Sequence, residues 1–280
     1  MGDEGWLLED YQAPPDGNME LTIPGTYRGK PVTMNLYTIN GDVRKLTLCE
    51  GLTLESLSPS KEMEENLEEL YFECTVSTEE CEYLFSGFKK LKILKYPRGV
   101  TDLFGYIGCT VEELYIPATV NKFSGSTSSI PVKRLYFEGT VEDWIKFDSS
   151  VERITRNIKE LYIDGQLVEN IVIPEGVEQL GDYLFSRIKS LKSVKLPSTL
   201  KTIGEGTFMN CESLEEIDFP ENLDTIKLEA FYGCSRLDKL ILPSKLTTVG
   251  VTSFNKCDGL RLVYIPKSLV NKIIRRSYNN

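Results

Sequence analysis

The apolar positions of this chain recur with a long period before they recur with a short one. Leu191, Val194 and Leu196 precede Pro197, and Leu200, Ile203, Phe208 and Cys211 follow it. The same set returns as Leu214, Ile217, Phe219, Leu223, Ile226, Phe231 and Cys234, and again as Leu237, Leu240, Leu242, Leu246, Val249, Phe254 and Cys257. Pro174, Pro197, Pro220, Pro243 and Pro266 mark the period, each 23 residues after the last. Within a unit the LxL alternation closed by Pro predicts a short strand with one buried face, because side chains alternate sides along a strand and Pro cannot donate to a ladder. The remainder, as in STLKTIGEGTFMNC, is short and rich in turn residues; it predicts a brief extended piece and one helical turn carrying Phe and Cys inward. One such unit cannot bury its own apolar side, so the units must stack as a solenoid.

The pattern extends toward the N-terminus with the proline often replaced: LEELYFE ends at Glu73, LKILKYP at Pro97, VEELYIP at Pro117, VKRLYFE at Glu138 and IKELYID at Asp164, with VRKLTLC and MELTIP upstream. The step from Asp164 to Pro174 is only ten residues and contains Asp164-Gly165, a two-residue turn signal. It predicts a hairpin interruption near 161–173. Asn40-Gly41 predicts a second hairpin.

The units LxxVxLPSxLxxIGxxxFxxCxxL, with YFEGTVEDW at 136–144, resemble the BspA-type leucine-rich repeats of bacterial, often cell-surface, proteins. The resemblance implies a right-handed, β-rich leucine-rich-repeat solenoid with a parallel sheet on its concave side and short helical turns. It divides the chain into an N-terminal extension (1–18), a solenoid of about ten irregular repeats (19–266) and a C-terminal cap (267–280). It also implies an extracellular or cell-surface location and adhesion to a protein or a glycan on a host or microbial surface. The sequence starts with acidic residues and shows no signal segment, which leaves a cytoplasmic location as the alternative.

Composition narrows the function. The chain has 280 residues, 42 acids and 32 bases, for a net charge of −10. Residues 1–140 hold 22 acids and 13 bases (net −9), against 20 and 19 in the remainder (net −1). That balance argues against nucleic acid, which requires a basic footprint. Glu62 to Glu82 contains nine glutamates with no Lys or Arg and reads as a solvated face. No apolar run is long enough to span a bilayer. Histidine is absent, which removes His-based nucleophilic triads and His-ligated zinc. No carboxylate pair, phosphate loop or metal signature stands out, so no catalytic, cofactor or metal residue is assigned and the chain is not expected to be an enzyme. Cys211, Cys234 and Cys257 read as small buried fillers of one stacked slot, and Trp144 as a packing residue.

The residue between the last two buried positions of each strand points out of the opposite face. Read from Thr47 on, that column is Thr47, Tyr71, Lys95, Tyr115, Tyr136, Tyr162, Val172, Lys195, Asp218, Ile241 and Tyr264, five of eleven being tyrosine. Tyrosine beside charge suits an interface, since the ring buries area while the hydroxyl keeps a hydrogen bond. It also suits a sheet that stacks its own aromatics. The first reading makes Tyr71, Tyr115, Arg134, Tyr136, Tyr162, Lys195 and Asp218 the ligand-binding face. The second makes the chain a scaffold or spacer. A carbohydrate-binding accessory module is a third.

Overall fold

A computed structural model describes residues 6–8, 11–12, 19–78, 81, 84–103, 109–124, 132–267 and 269–270. The expected extension (1–18) and cap (267–280) lie largely outside these. The chain divides into two units, Met1–Glu138 and Gly139–Asn280. Both are β-solenoids built of stacked parallel strands with little helix.

In the N-terminal unit, the strands Glu20–Ile23, Lys45–Leu48, Glu69–Phe72, Ile93–Lys95, Val111–Ile116 and Val132–Phe137 pair in that order, all parallel. The register places Leu46, Leu70, Leu94, Leu114 and Leu135 in one fully buried column. Parallel pairing normally needs a crossover, and here each turn of the solenoid is the crossover. Asn40-Gly41 does not form a hairpin. The strands beside it, Ile39–Asn40 and Lys45–Leu48, pair in parallel with other rungs, and Gly41, at φ 90°, turns a corner between them. A turn signal reports the bend and not the partner, and in a solenoid the partner is a full rung away.

The C-terminal unit opens with a four-residue helix, Val141–Trp144. Thr140 and Asp143 cap it reciprocally: the Thr140 side chain accepts from the Asp143 N–H, and the Asp143 carboxylate accepts from the Thr140 N–H. Strands Glu160–Ile163 and Gln166–Leu167 then pair antiparallel across Asp164-Gly165, both with positive φ, as a two-residue hairpin turn requires.

Beyond the hairpin the regular repeats stack through three ladders. The first consists of the strands Asn170–Val172, Ser193–Lys195 and Glu216–Asp218, followed by the pair Lys239–Ile241 and Leu262–Tyr264. The second consists of two-residue strands at Gln179–Leu180, Thr202–Ile203, Thr225–Ile226 and Thr248–Val249.

The third ladder is where the sequence predicts a helical turn. Tyr183, Phe185 and Arg187 donate their N–H groups to the carbonyls of Glu205, Thr207 and Met209 one rung on. Gly206, Phe208 and Asn210 donate likewise to Leu228, Ala230 and Tyr232, and Glu229, Phe231 and Gly233 to Val251, Ser253 and Asn255. All nine bonds run in one direction. This needs left-handed backbone at two points per rung: φ is positive at Tyr183, Gly206, Glu229 and Thr252, and at Arg187, Asn210, Gly233 and Lys256. Inside this ladder Phe185, Phe208, Phe231 and Phe254 stack face to face at 5.3–5.7 Å. Trp144, fully buried, donates its indole N–H to the Leu184 carbonyl at 2.9 Å and so caps the carbonyl-bearing end of the ladder.

The cysteine column does more than fill space. The thiols of Cys211, Cys234 and Cys257 donate to the carbonyls of Phe185, Phe208 and Phe231, each at 3.0–3.2 Å. Burial pushes their thiol pKa values up, that of Cys257 to about 11, which disfavours the reactive thiolate.

Two stability predictions follow from the third ladder. Phe208→Ala opens a cavity between two stacked rings and should cost about 3–5 kcal/mol in urea unfolding. The left-handed positions should respond with opposite signs. Gly206→Ala adds a carbon that would lie 2.4 Å from the Tyr183 ring, and should lower the melting temperature. Thr252→Gly removes a β-branched residue from φ 61° and should raise stability by about 1 kcal/mol.

Candidate functional site

The outward column of the N-terminal unit has the register predicted for it. Thr47 pairs with Tyr71, Tyr71 with Lys95, Lys95 with Tyr115, and Tyr115 with Tyr136. Because parallel strands hold successive residues in register about 4.8 Å apart, neighbouring rings on adjacent rungs can lie flat on one another. Tyr115 and Tyr136 do so, with ring centroids 4.3 Å apart and planes 6° apart. The rings are half-buried by this stack and by the side chains around them.

The hydroxyls are tied down from within the same rung. Tyr71 donates to Glu69 at 3.0 Å and Tyr115 to Glu113 at 2.9 Å. Glu113 also takes Arg134 at 2.6 Å on its other oxygen, and Lys45 lies 3.6 Å from Glu20 and 3.9 Å from Glu69. Burial, followed by the hydrogen bond to Glu69, pushes the Tyr71 hydroxyl up to about 12; the same causes raise Tyr115. Both stay neutral donors at physiological pH.

At the centre of the column stands Lys95, whose side chain is 17% exposed. Its ammonium lies 3.0 Å from both Glu73 oxygens and 3.0 Å from Glu138. Burial works against the charged ammonium, and the two carboxylates outweigh it, so its pKa ends above the usual lysine value. Glu73 and Glu138 escaped the sequence reading as site residues. Their signal was an acid standing in the slot that Pro97 and Pro117 fill on the rungs between.

The predicted site residues are thus divided. Tyr71, Tyr115, Arg134 and Tyr136 share one sheet face of the N-terminal unit. Tyr162, Lys195 and Asp218 belong to the C-terminal unit. There Tyr162 donates to Glu160 at 3.1 Å, repeating the Tyr-to-Glu bond of the other unit, and Lys195 pairs in register with Asp218, both exposed.

Asp218 has a further setting. Ser193–Lys195 and Glu216–Asp218 are hydrogen-bonded as neighbours, whereas Glu216–Asp218 and Lys239–Ile241 fall in separate sheets. Asp238 N–H still reaches the Glu215 carbonyl at 3.4 Å. The seam opens a groove of about 650 Å³ lined by Glu216, Asp218, Arg236, Lys239, Ile241 and Arg261 among others. Phe219, edge-on to Phe231 at 5.5 Å, stands where the neighbouring rungs carry Leu196 and Leu242.

Among the described residues no group of three or more His, Cys, Asp or Glu is placed to hold a metal ion, and no helix is long and apolar enough to cross a membrane.

Residues 156–280 match, in six copies, the model of the BspA type leucine rich repeat region. No curated protein matches the sequence. Among solved structures, similarity extends to a Treponema pallidum leucine-rich repeat protein, with 23% identity, TM-score 0.35, 55% of this chain and 58% of that one. It extends also to the pneumococcal vaccine antigen PcpA, with 21% identity, TM-score 0.49, 93% of this chain and 66% of that one. A leucine-rich cell surface protein of Faecalibacterium prausnitzii is 18% identical, with TM-score 0.39, 91% of this chain and 90% of that one. The chain therefore spans under two thirds of the length of the first two. The family match is thus to the stretch 156–280, where Pro, Phe and Cys recur at fixed positions of BspA-type leucine-rich repeats.

Proposed function

We propose that this chain is a non-catalytic recognition module that binds a protein through the sheet face of its N-terminal unit, with Tyr71, Tyr115, Arg134 and Tyr136 as contact residues. The observation that carries this reading is the Tyr115–Tyr136 stack, flanked by side chains already held in place by Glu69, Glu113, Glu73 and Glu138. A face whose rotamers are fixed before contact loses less side-chain entropy on binding. Tyrosine and arginine are the residue types that dominate interface energetics. Repeat surfaces use the same economy, with exposed side chains varying on a constant backbone. Family resemblance supports a place at a cell surface or outside the cell, with a host or microbial surface protein as partner.

The same mutual pairing favours a second reading, a scaffold whose tyrosines serve only the sheet. The two part on experiment. The protein is tested against a panel of purified extracellular proteins and glycans, beside Tyr115→Ser/Tyr136→Ser and a control, Thr225→Ala, on the other ladder of the second unit. Recognition through this face predicts that captured proteins lose at least about tenfold in affinity with the double variant, roughly 1.4 kcal/mol, and none with the control. Equal binding by all three removes the face from the function. A double variant that loses several degrees of thermal stability, in a protein that captures nothing, supports the scaffold. Glycan capture lost with the tyrosines would replace the protein partner by a carbohydrate.

A further inference from the structure

The sheet face of the N-terminal unit carries an alternation of charge that breaks at one rung. Down the column Glu20, Lys45, Glu69, Ile93, Glu113 and Arg134, each residue stands in register with the next. Acid and base alternate from Glu20 to Glu69 and again from Glu113 to Arg134. Between those two runs, where the alternation calls for a base, stands the half-buried Ile93. Parallel rungs lie about 4.8 Å apart, so Glu69 and Glu113 flank Ile93 on strands roughly 10 Å from each other.

The cations of the face are engaged elsewhere. Lys45, one rung before Glu69, lies 3.6 Å from Glu20 and 3.9 Å from Glu69, and Arg134, one rung beyond Glu113, holds it at 2.6 Å. Lys95 shares the Ile93 strand, and its ammonium goes to Glu73 and Glu138, 3.0 Å from each. The Tyr71 and Tyr115 hydroxyls donate to the two flanking glutamates. An ionised carboxylate has about four acceptor positions, so one hydrogen bond at Glu69 and two at Glu113 leave acceptor capacity on both. Tyr71 registers the pair: behind burial and the bond to Glu69, the charges of Glu69 and Glu113 both help push its hydroxyl up to about 12. The surplus is particular to this face. Its five glutamates oppose three cations, for a net −2, whereas the column Arg44, Glu68, Lys92, Glu112 and Lys133 beside it is net +1.

We propose that the face binds a basic protein segment, and that the position over Ile93 receives an arginine of that partner, its aliphatic stem on Ile93 and its guanidinium between Glu69 and Glu113. This inference rests on the reading of the face as a recognition surface. The occupant follows from the chemistry of the gap. A guanidinium carries five N–H donors in a planar fork and can meet carboxylates on two sides, whereas an ammonium is a compact, strongly hydrated point charge. An apolar stem ending in a charged head matches an isoleucine between two acids. An acidic segment would meet like charge, and a second copy of the same face would bring its own surplus.

The probes are three acetylated peptides in which serine alternates with arginine, with lysine or with glutamate, each added to the full chain. Binding is read by fluorescence anisotropy and located by NMR at the Ile93 methyl groups. The arginine peptide should shift the Ile93 signals and bind at least about threefold more tightly than the lysine peptide. Ile93→Lys supplies the missing cation from within the chain; it should melt no lower than the parent and lose at least about tenfold in affinity for the arginine peptide. Glu69→Gln keeps the side-chain shape, removes one of the two charges and should weaken binding in the same direction. Glu221→Gln, the same change in net charge at an exposed position of the C-terminal unit, should bind as the parent does. The proposal is overturned if Ile93→Lys or Glu69→Gln binds as tightly as the parent, if Glu221→Gln loses as much as they do, or if the glutamate peptide binds equally well. Captured proteins that are lost with Tyr115→Ser/Tyr136→Ser and bind Ile93→Lys undiminished would overturn the arginine position and leave the recognition face standing. Arginine-peptide binding at Ile93, in a chain whose captured proteins ignore the tyrosines, would retain the position and remove the tyrosine face from the function.

Discussion

The constraint on which everything else rests is that a rung of this chain has no inside of its own. A 23-residue turn of solenoid presents one row of apolar side chains and three stretches of backbone whose N–H and C=O groups point up and down the stack. Neither is satisfied without the neighbouring rung. Leu46, Leu70, Leu94, Leu114 and Leu135 are fully buried because each is roofed by the next, and Phe208 is buried between Phe185 and Phe231 for the same reason. Burial and hydrogen bonding are therefore fixed by a single register. A slip by one residue would turn a leucine column outward and a tyrosine column inward.

The outward residues are free of that demand, and they use it differently in the two units. On the N-terminal unit, charge alternates along the column Arg44, Glu68, Lys92, Glu112 and Lys133, with ion pairs at Arg44–Glu68, Lys92–Glu68 and Lys133–Glu112. Exposed pairs of this kind add little to stability, because water and salt screen them. Their value lies in register: opposite charges one rung apart reward the correct stacking and like charges penalise a shifted one. On the C-terminal unit the alternation fails where Glu215 faces Asp238, and there the first ladder opens. Two carboxylates on adjacent rungs repel, and Phe219 adds bulk beside them. The second and third ladders continue through the same rungs, so the opening is confined to one side.

The period was legible because proline, phenylalanine and cysteine are each demanded by a different physical need at a fixed offset, and their coincidence every 23 residues has no other reading. The tyrosine column was legible for the same reason, since strand alternation decides its side. What the sequence concealed was the third ladder. Left-handed backbone is announced by glycine, and only Gly206 and Gly233 announce it; Tyr183, Arg187, Glu229, Thr252 and Lys256 hold the same conformation without the signal. The stack over-determines these positions, so the residue type no longer reports the conformation. A run such as EGTFMNC consequently reads as a helical turn, though its N–H groups at Gly206, Phe208 and Asn210 bond to the next rung instead of along the chain. The Lys95 cluster was concealed for a different reason, since Glu73 and Glu138 reach it from rungs on either side of those that carry Pro97 and Pro117.

The one-way third ladder also explains why a solenoid of this kind cannot treat its two ends alike. Peptide dipoles aligned along the stack leave carbonyls at one end and N–H groups at the other, as in a helix, except that here they belong to residues a rung apart. A carbonyl end can be finished by a single indole or amide donor, and Trp144 does this from a capped turn placed 40 residues ahead of its acceptor. An N–H end requires acceptors in a row, and side chains that supply acceptors in a row are charged and costly to bury beside apolar residues. Backbone carbonyls are the cheaper solution, and they come only with another length of chain. The asymmetry that lets a single tryptophan finish a carbonyl end thus makes a length of backbone, and not a side-chain cap, the natural complement of an N–H end.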